Sequence, residues 1–524
     1  MIPSKPPSSV FNFAEHLIAR NDAHAQRIAY IDDRTRLSYG DLADRIRRFA
    51  AVLRTHGLRR EERVLLLAHD TVEWPVAFLG ALYAGVVPVA VNTLLTADDY
   101  AYMLAHSRAR AAIVSGALAP TLARAMAKGT HEVETIWVIG APAEGSPAGM
   151  REINADVDSA APAAPAATHM DDAAFWLYSS GSTGAPKGTV HTHANPYWTN
   201  ELYARDVLRL SPDDICFSAA KLFFAYGLGN ALTFPLSAGA TTVLMAERPT
   251  PQAVFRRLIE HRATVFFGVP TLYAAMLAAP DLPARDAVAI RVCASAGEAL
   301  PRDIGERFTA HFGCEILDGI GSTEMLHIFL SNRPGEVRYG TTGVPVPGYD
   351  VELRGDDGHP VADGEVGDLY IRGPSAALMY WTSRDKSRAT FQGEWTKSGD
   401  KYVRRDDGYY VYAGRADDML KVSGLYVSPF EVEAALVQHP AVLEAAVIGK
   451  EDADGLTKTK AFVVLKPGHA PEPALENALK AFVKDKLAPY KYPRHIEFIA
   501  ELPKTATGKI QRFRLRERER LPTA

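Results

Sequence analysis

Short, wholly apolar runs punctuate this chain, and between them apolar residues recur every three to four positions. The second spacing predicts amphipathic helices over residues 13–19 and 38–56. The runs at 63–68 (RVLLLA), 86–91 and 111–114 predict strands buried on both faces, and the helical stretches between them predict parallel αβ units. The longest apolar stretch, 75–91, is interrupted by Gly80, Gly85 and Pro88. It is too short for a membrane span and is expected to form a buried helix followed by a strand. Residues 141–170, rich in Ala, Pro and Ser, predict a surface excursion. Buried strands are expected again at 241–245, 264–268 and 290–294. From 340 to 372 the pattern changes to short strands with Gly/Pro turns, which predicts a small β-subdomain. Beyond Asp417 come a helix at 429–440, strands at 441–449 and 460–466, and a helix at 475–488, a compact α+β module of about a hundred residues. The expected fold is α/β. A large N-terminal domain (1–416) of αβ-layered subdomains plus a small β-subdomain precedes a small α+β C-terminal domain (417–524).

A chain of 524 residues exceeds what one core serves, in keeping with two domains. Net charge is −4 with no basic block, which argues against a nucleic-acid partner. The arginines of 512–520 alternate with glutamates and read as a solvated helix face. Cys216, Cys293 and Cys314 have the spacing of neither a zinc site nor a disulfide framework, which points to a reducing cytoplasm. No charged n-region with an apolar core opens the chain, so neither a signal peptide nor membrane insertion is expected.

The candidate chemistry begins at residues 178–188, YSSGSTGAPKG. Gly181, Gly184 and Gly188 let the backbone approach a ligand, while Ser179, Ser180, Ser182 and Thr183 supply donors. Lys187 adds a point charge for phosphate oxygens. The preceding apolar FWLY places the loop at the end of a strand. A P-loop would end Gly-Lys-Ser/Thr. Here Pro186 precedes the lysine and Gly188 follows it, so the loop is of another kind. A Gly/Ser linker is the alternative, and it does not account for the Pro-Lys-Gly ending between apolar runs. His191 and His193 have no third ligand near in sequence and read as structural.

The loop resembles the phosphate-binding signature of the adenylate-forming superfamily of acyl-CoA synthetases, adenylation domains and luciferases. Further motifs follow in that superfamily's order: DGIGSTE (318–324), the SGD containing Asp400, GRADDMLKVSG (414–424) and PKTATGK (503–509). The resemblance implies that Ser179, Ser180, Gly181, Ser182, Thr183, Gly184 and Lys187 hold the β- and γ-phosphates of ATP. It implies that Asp318, Gly319 and Ile320 meet the adenine, with Ile320 where an aromatic usually stacks. Thr323 would offer a hydroxyl to phosphate and Glu324 a carboxylate to Mg²⁺, although Thr-Glu taken alone reads as a helix cap. Asp400 and Arg415 would clamp the ribose, where the plain alternative is a surface ion pair. Lys509 would neutralise charge during adenylation, and Asp417 would be the pivot between two half-reactions. Lys421, Ser423 and Gly424 would face the pantetheine of coenzyme A. A lysine acetyltransferase and deacetylase acting on Lys509 are implied as regulatory partners, and the chain is expected to be a monomer or homodimer.

The acyl pocket is expected between KLFFAYGLGN (221–230) and MLHIF (325–329). The rings of Phe223, Phe224 and Tyr226 shorten it against long fatty acids, and no aspartate is present there to hold an amino group. A flat aromatic acid suits a slot formed by Phe224, Ala225, Tyr226, Gly321, His327 and Ile328. Segments along nearly the whole chain, among them PVAVNTLLTADDYAYML and GIGSTEMLHIFLSN, resemble bacterial benzoate–CoA ligases. The alternatives are another aryl- or medium-chain acyl-CoA ligase, or a non-catalytic nucleotide-binding regulator.

Overall fold

The computed structural model describes residues 5–179, 185–416, 418–422, 425–452, 457–487, 491–504 and 510–520, with backbone alone at 421, 425, 426 and 520. The chain forms two compact units, Met1–Asp350 with Ile371–Thr396, and Val351–Tyr370 with Lys397–Ala524. These units part elsewhere than after residue 416. The strands Trp395–Arg404 and Tyr410–Arg415 form an antiparallel hairpin beside Val366–Arg372, and this pairing groups most of the β-subdomain with the C-terminal elements.

In the first unit, an eight-stranded sheet has a parallel centre of Ala173–Ser179, Val87–Ala90, Arg63–Leu67 and Ala109–Ser115. A nine-stranded sheet has as its centre Ile316–Gly321, Val292–Ser295, Val265–Gly268 and Ile215–Ser218, again parallel. Their runs of buried Val, Leu, Ile and Phe are what strands covered on both faces require. The expected helices form at Phe13–Asn21 and Tyr39–Thr55, the latter begun by Ser38, whose Oγ accepts the Asp41 N–H at 3.1 Å. The long apolar stretch is the buried helix Glu73–Ala84 followed by the strand Val87–Ala90. The surface excursion is more structured than expected. It carries the helix Ile153–Ser159, which turns Ile153 and Val157 into the core.

In the second unit, the helices Pro429–Val437 and Pro473–Lys486 pack with the sheet Val442–Glu451, Thr457–Leu465 and His495–Phe498 around Val432, Leu436, Val447, Val463 and Leu479. The arginine-rich end is the helix Arg512–Arg520, and it is not simply solvated. Leu515 is buried, Arg512 pairs with Glu433 at 2.6 Å, and Arg516 pairs with Asp418 at 2.7 Å. Among the described residues, no helix is long and apolar enough to cross a membrane.

Candidate active site

Parallel strands present their following loops at one edge of a sheet, and ligand sites gather there. The phosphate-loop candidate lies between Ala173–Ser179 and the antiparallel Lys187–Thr192, with Ser179 paired to Lys187. Its two flanks are fixed by one helix, Ala97–Ser107. Tyr102 Oη donates to the Pro186 carbonyl at 3.1 Å, and His106 Nδ1 lies 2.9 Å from Tyr178 Oη. Ser180, Gly181, Ser182, Thr183 and Gly184 lie outside the described residues, as do Asp417, Ser423, Gly424, Lys509 and the side chain of Lys421.

Thr323 and Glu324 occupy a turn, closed by the Leu326 N–H to the Thr323 carbonyl at 3.2 Å, with Leu326 at φ 66°. No helix starts there, so the capping alternative falls away. The turn is tied down from behind. His191 Nε2–H donates to the Thr323 carbonyl at 2.8 Å, and the Ala377 N–H donates to the Glu324 carbonyl at 2.8 Å. Burial lowers His191 to about 4, so it works as a neutral donor. Glu324 Oε1 lies 3.8 Å from Lys187 Nζ, accepts from Ser179 Oγ at 3.4 Å and accepts from Tyr380 Oη at 2.6 Å. The structure thus gathers Ser179, Lys187 and Glu324 as expected and adds Tyr380.

Asp318 and Ile320 share one face of the strand Ile316–Gly321. Asp318 is buried and accepts the Leu300 N–H at 3.3 Å, and desolvation raises its carboxyl to about 8. Near neutrality this group is largely a carboxylic acid, able to donate as well as accept. The hairpin partner Ile328–Ser331 pairs Gly319 with Ser331 and Gly321 with Ile328. A Cβ at Gly321 would fall 2.6 Å from the carbonyl carbon of His327, so this glycine permits close backbone approach. A side chain there would displace the hairpin itself.

His327 forms the heart of the apolar end. Its ring meets Phe234 at 4.4 Å, Tyr203 at 5.4 Å and Tyr226 at 5.5 Å between centroids. Nε2–H donates to the Tyr226 carbonyl at 3.3 Å, and burial pushes the imidazole down to about 3. A Cβ on Gly229 would lie 2.6 Å from His327 Nε2, so the ring rests on bare backbone. Ile328 is buried beside it, while Phe224 and Ala225 are partly buried against the core.

Two anchors of the 221–228 loop escaped the sequence reading. The buried Asp70 carboxylate, at the end of Arg63–Leu67, accepts the Leu222 N–H at 3.2 Å. Lys221 Nζ donates to the carbonyls of Met245 and Glu247. Desolvation raises Asp70 to about 6. An isolated Asp or Lys in a loop carries no local pattern that marks it as an anchor. In the second unit, Asp400 and Arg415 are cross-strand partners, with Arg415 Nη1 3.1 Å from Asp400 Oδ1. Among the described residues, no cluster of three or more His, Cys, Asp or Glu could hold a metal by itself. His191 and His193 are both buried, and His193 Nδ1 accepts the Phe13 N–H at 3.2 Å, so the described structure engages both in packing and hydrogen bonds.

The profile of the AMP-binding enzyme family matches residues 17–381, and that of the AMP-binding enzyme C-terminal domain matches residues 431–509. The chain is 58% identical over 510 residues to a benzoate–CoA ligase of Thauera aromatica, covering 97% of this chain and 96% of that protein. It is 49% identical to a 4-hydroxybenzoate–CoA/benzoate–CoA ligase of Rhodopseudomonas palustris, covering 98% and 95%. Among solved structures, a benzoate CoA ligase from Burkholderia xenovorans superposes with a TM-score of 0.89 at 64% identity, covering 97% of this chain and all of that one.

Proposed function

The chain belongs to the AMP-binding enzyme family, and on that premise we propose that it is an AMP-forming benzoate–CoA ligase. Benzoate attacks the α-phosphate of ATP to give benzoyl-adenylate and pyrophosphate. The thiol of coenzyme A then displaces AMP to give benzoyl-CoA. The observation that carries this reading is that two unlike surfaces meet at one hairpin turn. One is the Lys187–Tyr380–Glu324 group, and the other is the neutral aromatic wall around His327.

The first step brings two anions together, so positive charge and fixed donors dominate its catalysis. Lys187 and the phosphate loop hold the β- and γ-phosphates, and Thr323 offers its hydroxyl. Asp318 and Ile320 face the adenine. Asp400 receives the ribose hydroxyls and Arg415 steadies the same sugar. Lys509 supplies the charge that lets the carboxylate approach. The donor set suits Mg²⁺, since one carboxylate, Glu324, beside a hydroxyl leaves the other positions to phosphate and water. Bound with ATP, Mg²⁺ supplies further charge neutralisation at the phosphates. Asp417 serves as the pivot between half-reactions, and Lys421, Ser423 and Gly424 face coenzyme A in the second. Acetylation of Lys509 removes its charge and turns the first step off. The use of ATP and coenzyme A fits an enzyme of the cytoplasm.

On the acyl side, Phe224, Ala225, Tyr226, Gly321, His327 and Ile328 line a slot for a flat ring. His327 stays neutral, so the slot offers no charge to a substituent. The test is pyrophosphate release across benzoate, fluorobenzoates, hydroxybenzoates, 2-aminobenzoate, cyclohexane carboxylate and octanoate, with and without coenzyme A. Benzoate and fluorobenzoates should lead. Faster turnover of octanoate would replace this reading with a medium-chain acyl-CoA ligase.

A further inference from the structure

The sequence drew attention to Lys187 and Glu324, and the fold places a third group between them. Tyr380 lies on the two-residue strand Met379–Tyr380, which pairs with Lys187–Thr192 so that Tyr380 stands opposite Thr189. Its backbone N–H donates to Ser387 Oγ at 2.9 Å, and its ring packs on Phe391 at 5.3 Å. The next two residues are also pinned. The Trp381 N–H reaches the Gly188 carbonyl at 2.8 Å, Trp381 Nε1 reaches the His106 carbonyl at 3.1 Å, and Thr382 Oγ1 lies 3.0 Å from His106 Nε2. The phenol is therefore held in place, with 3% of the residue exposed.

That phenol contacts both Glu324 and Lys187. Its O–H donates to Glu324 Oε1 at 2.6 Å, the length of a charge-assisted bond. Its oxygen accepts from Lys187 Nζ at 3.2 Å, and the same ammonium lies 4.3 Å from the ring centroid. Lys187 and Glu324 stay 3.8 Å apart. Without the phenol the two charges would close into a direct ion pair, and each would then have to be released before it could serve a ligand. Every hydrogen bond that the Glu324 carboxylate accepts from the described residues falls on Oε1, which leaves Oε2 for another partner.

We propose that Tyr380 is a positioning residue of the nucleotide site. Its phenol bridges Lys187 and Glu324 and keeps their 3.8 Å ion pair from closing to direct hydrogen-bond contact, so that the carboxylate can still meet the divalent cation and the ammonium phosphate. This rests on the ligase reading above, because it assigns Glu324 to the cation that accompanies ATP.

The experiment compares the full chain with Tyr380→Phe by titration calorimetry, using ATP with Mg²⁺ and ATP with EDTA. The tightening of ATP binding by Mg²⁺ should shrink by about tenfold in Y380F, the scale of one hydrogen bond to a charged group. Affinity for synthetic benzoyl-adenylate should be unchanged, since that ligand carries no β- or γ-phosphate. Y380F placed in a Glu324→Gln background should weaken Mg-ATP binding no further. Tyr380→His, which keeps a donor, should restore part of the Mg²⁺ effect. An undiminished Mg²⁺ effect in Y380F overturns the proposal. So does equal weakening of Mg-ATP and benzoyl-adenylate, which would mark Tyr380 as packing alone. Failure of the unaltered chain to bind Mg-ATP or benzoyl-adenylate would instead remove the ligase reading.

Discussion

Glu324 and His327 belong to the same turn, yet they stand in opposite environments. Glu324 is partly open, and its carboxylate is shared among two hydroxyls and an ammonium. His327 is buried among rings, and its imidazole is held neutral by desolvation. The first arrangement balances its charge with hydroxyl and ammonium donors at a partly open position. The second excludes charge altogether, because an ion in that ring cluster would have no solvent and no partner. In the proposed reading, a benzoate would span this boundary, with its carboxylate on the polar side and its ring on the other. The contrast between the two ends is thus the same as the contrast within the substrate.

The largest expected effect concerns the lysine proposed to neutralise charge during adenylation. Lys509→Ala should slow adenylate formation on the order of 100- to 1,000-fold, as loss of a preorganised stabiliser of developing charge does. Thioester formation from synthetic benzoyl-adenylate should survive much better. Equal loss in both half-reactions would contradict the role.

Two glycines separate the ends more finely. A Cβ at Gly229 runs into the His327 ring, whereas one at Gly321 runs into the backbone of the hairpin that carries both ends. Overpacking of this kind costs about 1–3 kcal/mol. Gly229→Ala should raise the KM for benzoate and leave Mg-ATP binding intact, while Gly321→Ala should impair both. Identical profiles for the two variants would mean that the ends are not built independently.

Acid should distinguish the buried end by stability. An unfolded histidine titrates near 6.5, whereas folded His327 stays neutral down to about 3. The unfolded chain takes the proton first, so this side chain's contribution is lost as pH falls from about 6.5 toward 3. One unit below 6.5 the loss is about 1.4 kcal/mol. In urea unfolding at about pH 7.5 and pH 5.5, His327→Phe should lose less stability than the parent by that amount. Equal losses would show that His327 accepts its proton within the fold.

The smallest effect concerns the loop behind the slot. Asp70→Ala removes the acceptor for the Leu222 N–H and should cost about 1 kcal/mol, read as a several-fold rise in the benzoate KM with the ATP KM unchanged. Asp70→Asn keeps an acceptor and should be milder. A matching rise in the ATP KM would show that Asp70 supports the whole unit rather than the slot.

Much of this was legible in the chain. RVLLLA became the strand Arg63–Leu67, and the C-terminal helix, two strands and helix appeared in the expected order. Lys187 and Glu324 were found by their motifs and do lie together. The helix Ile153–Ser159 was missed because the Ala- and Pro-rich segment around it masks a single short apolar face. In sequence Arg512 and Arg516 read as solvated, because their partners, Glu433 and Asp418, come from far earlier in the chain. Tyr380 was missed for the same reason, since its role exists only where its short strand pairs with the strand after the phosphate loop.

Local pattern alone carries the alternation of strands and helices, the order of the motifs and the chemical class they resemble. These depend on local periodicity and on residue types that a given chemistry requires at fixed spacing. The packing of distant segments was needed to see that Tyr380 stands between Lys187 and Glu324, that a Cβ on Gly321 would meet the His327 backbone, and that Asp70 accepts the Leu222 N–H. Each of these is a relation between distant segments, fixed by sheet register and burial. Hydrogen bonds and desolvation act over a few ångströms in space, and a few ångströms here can separate residues far apart along the chain.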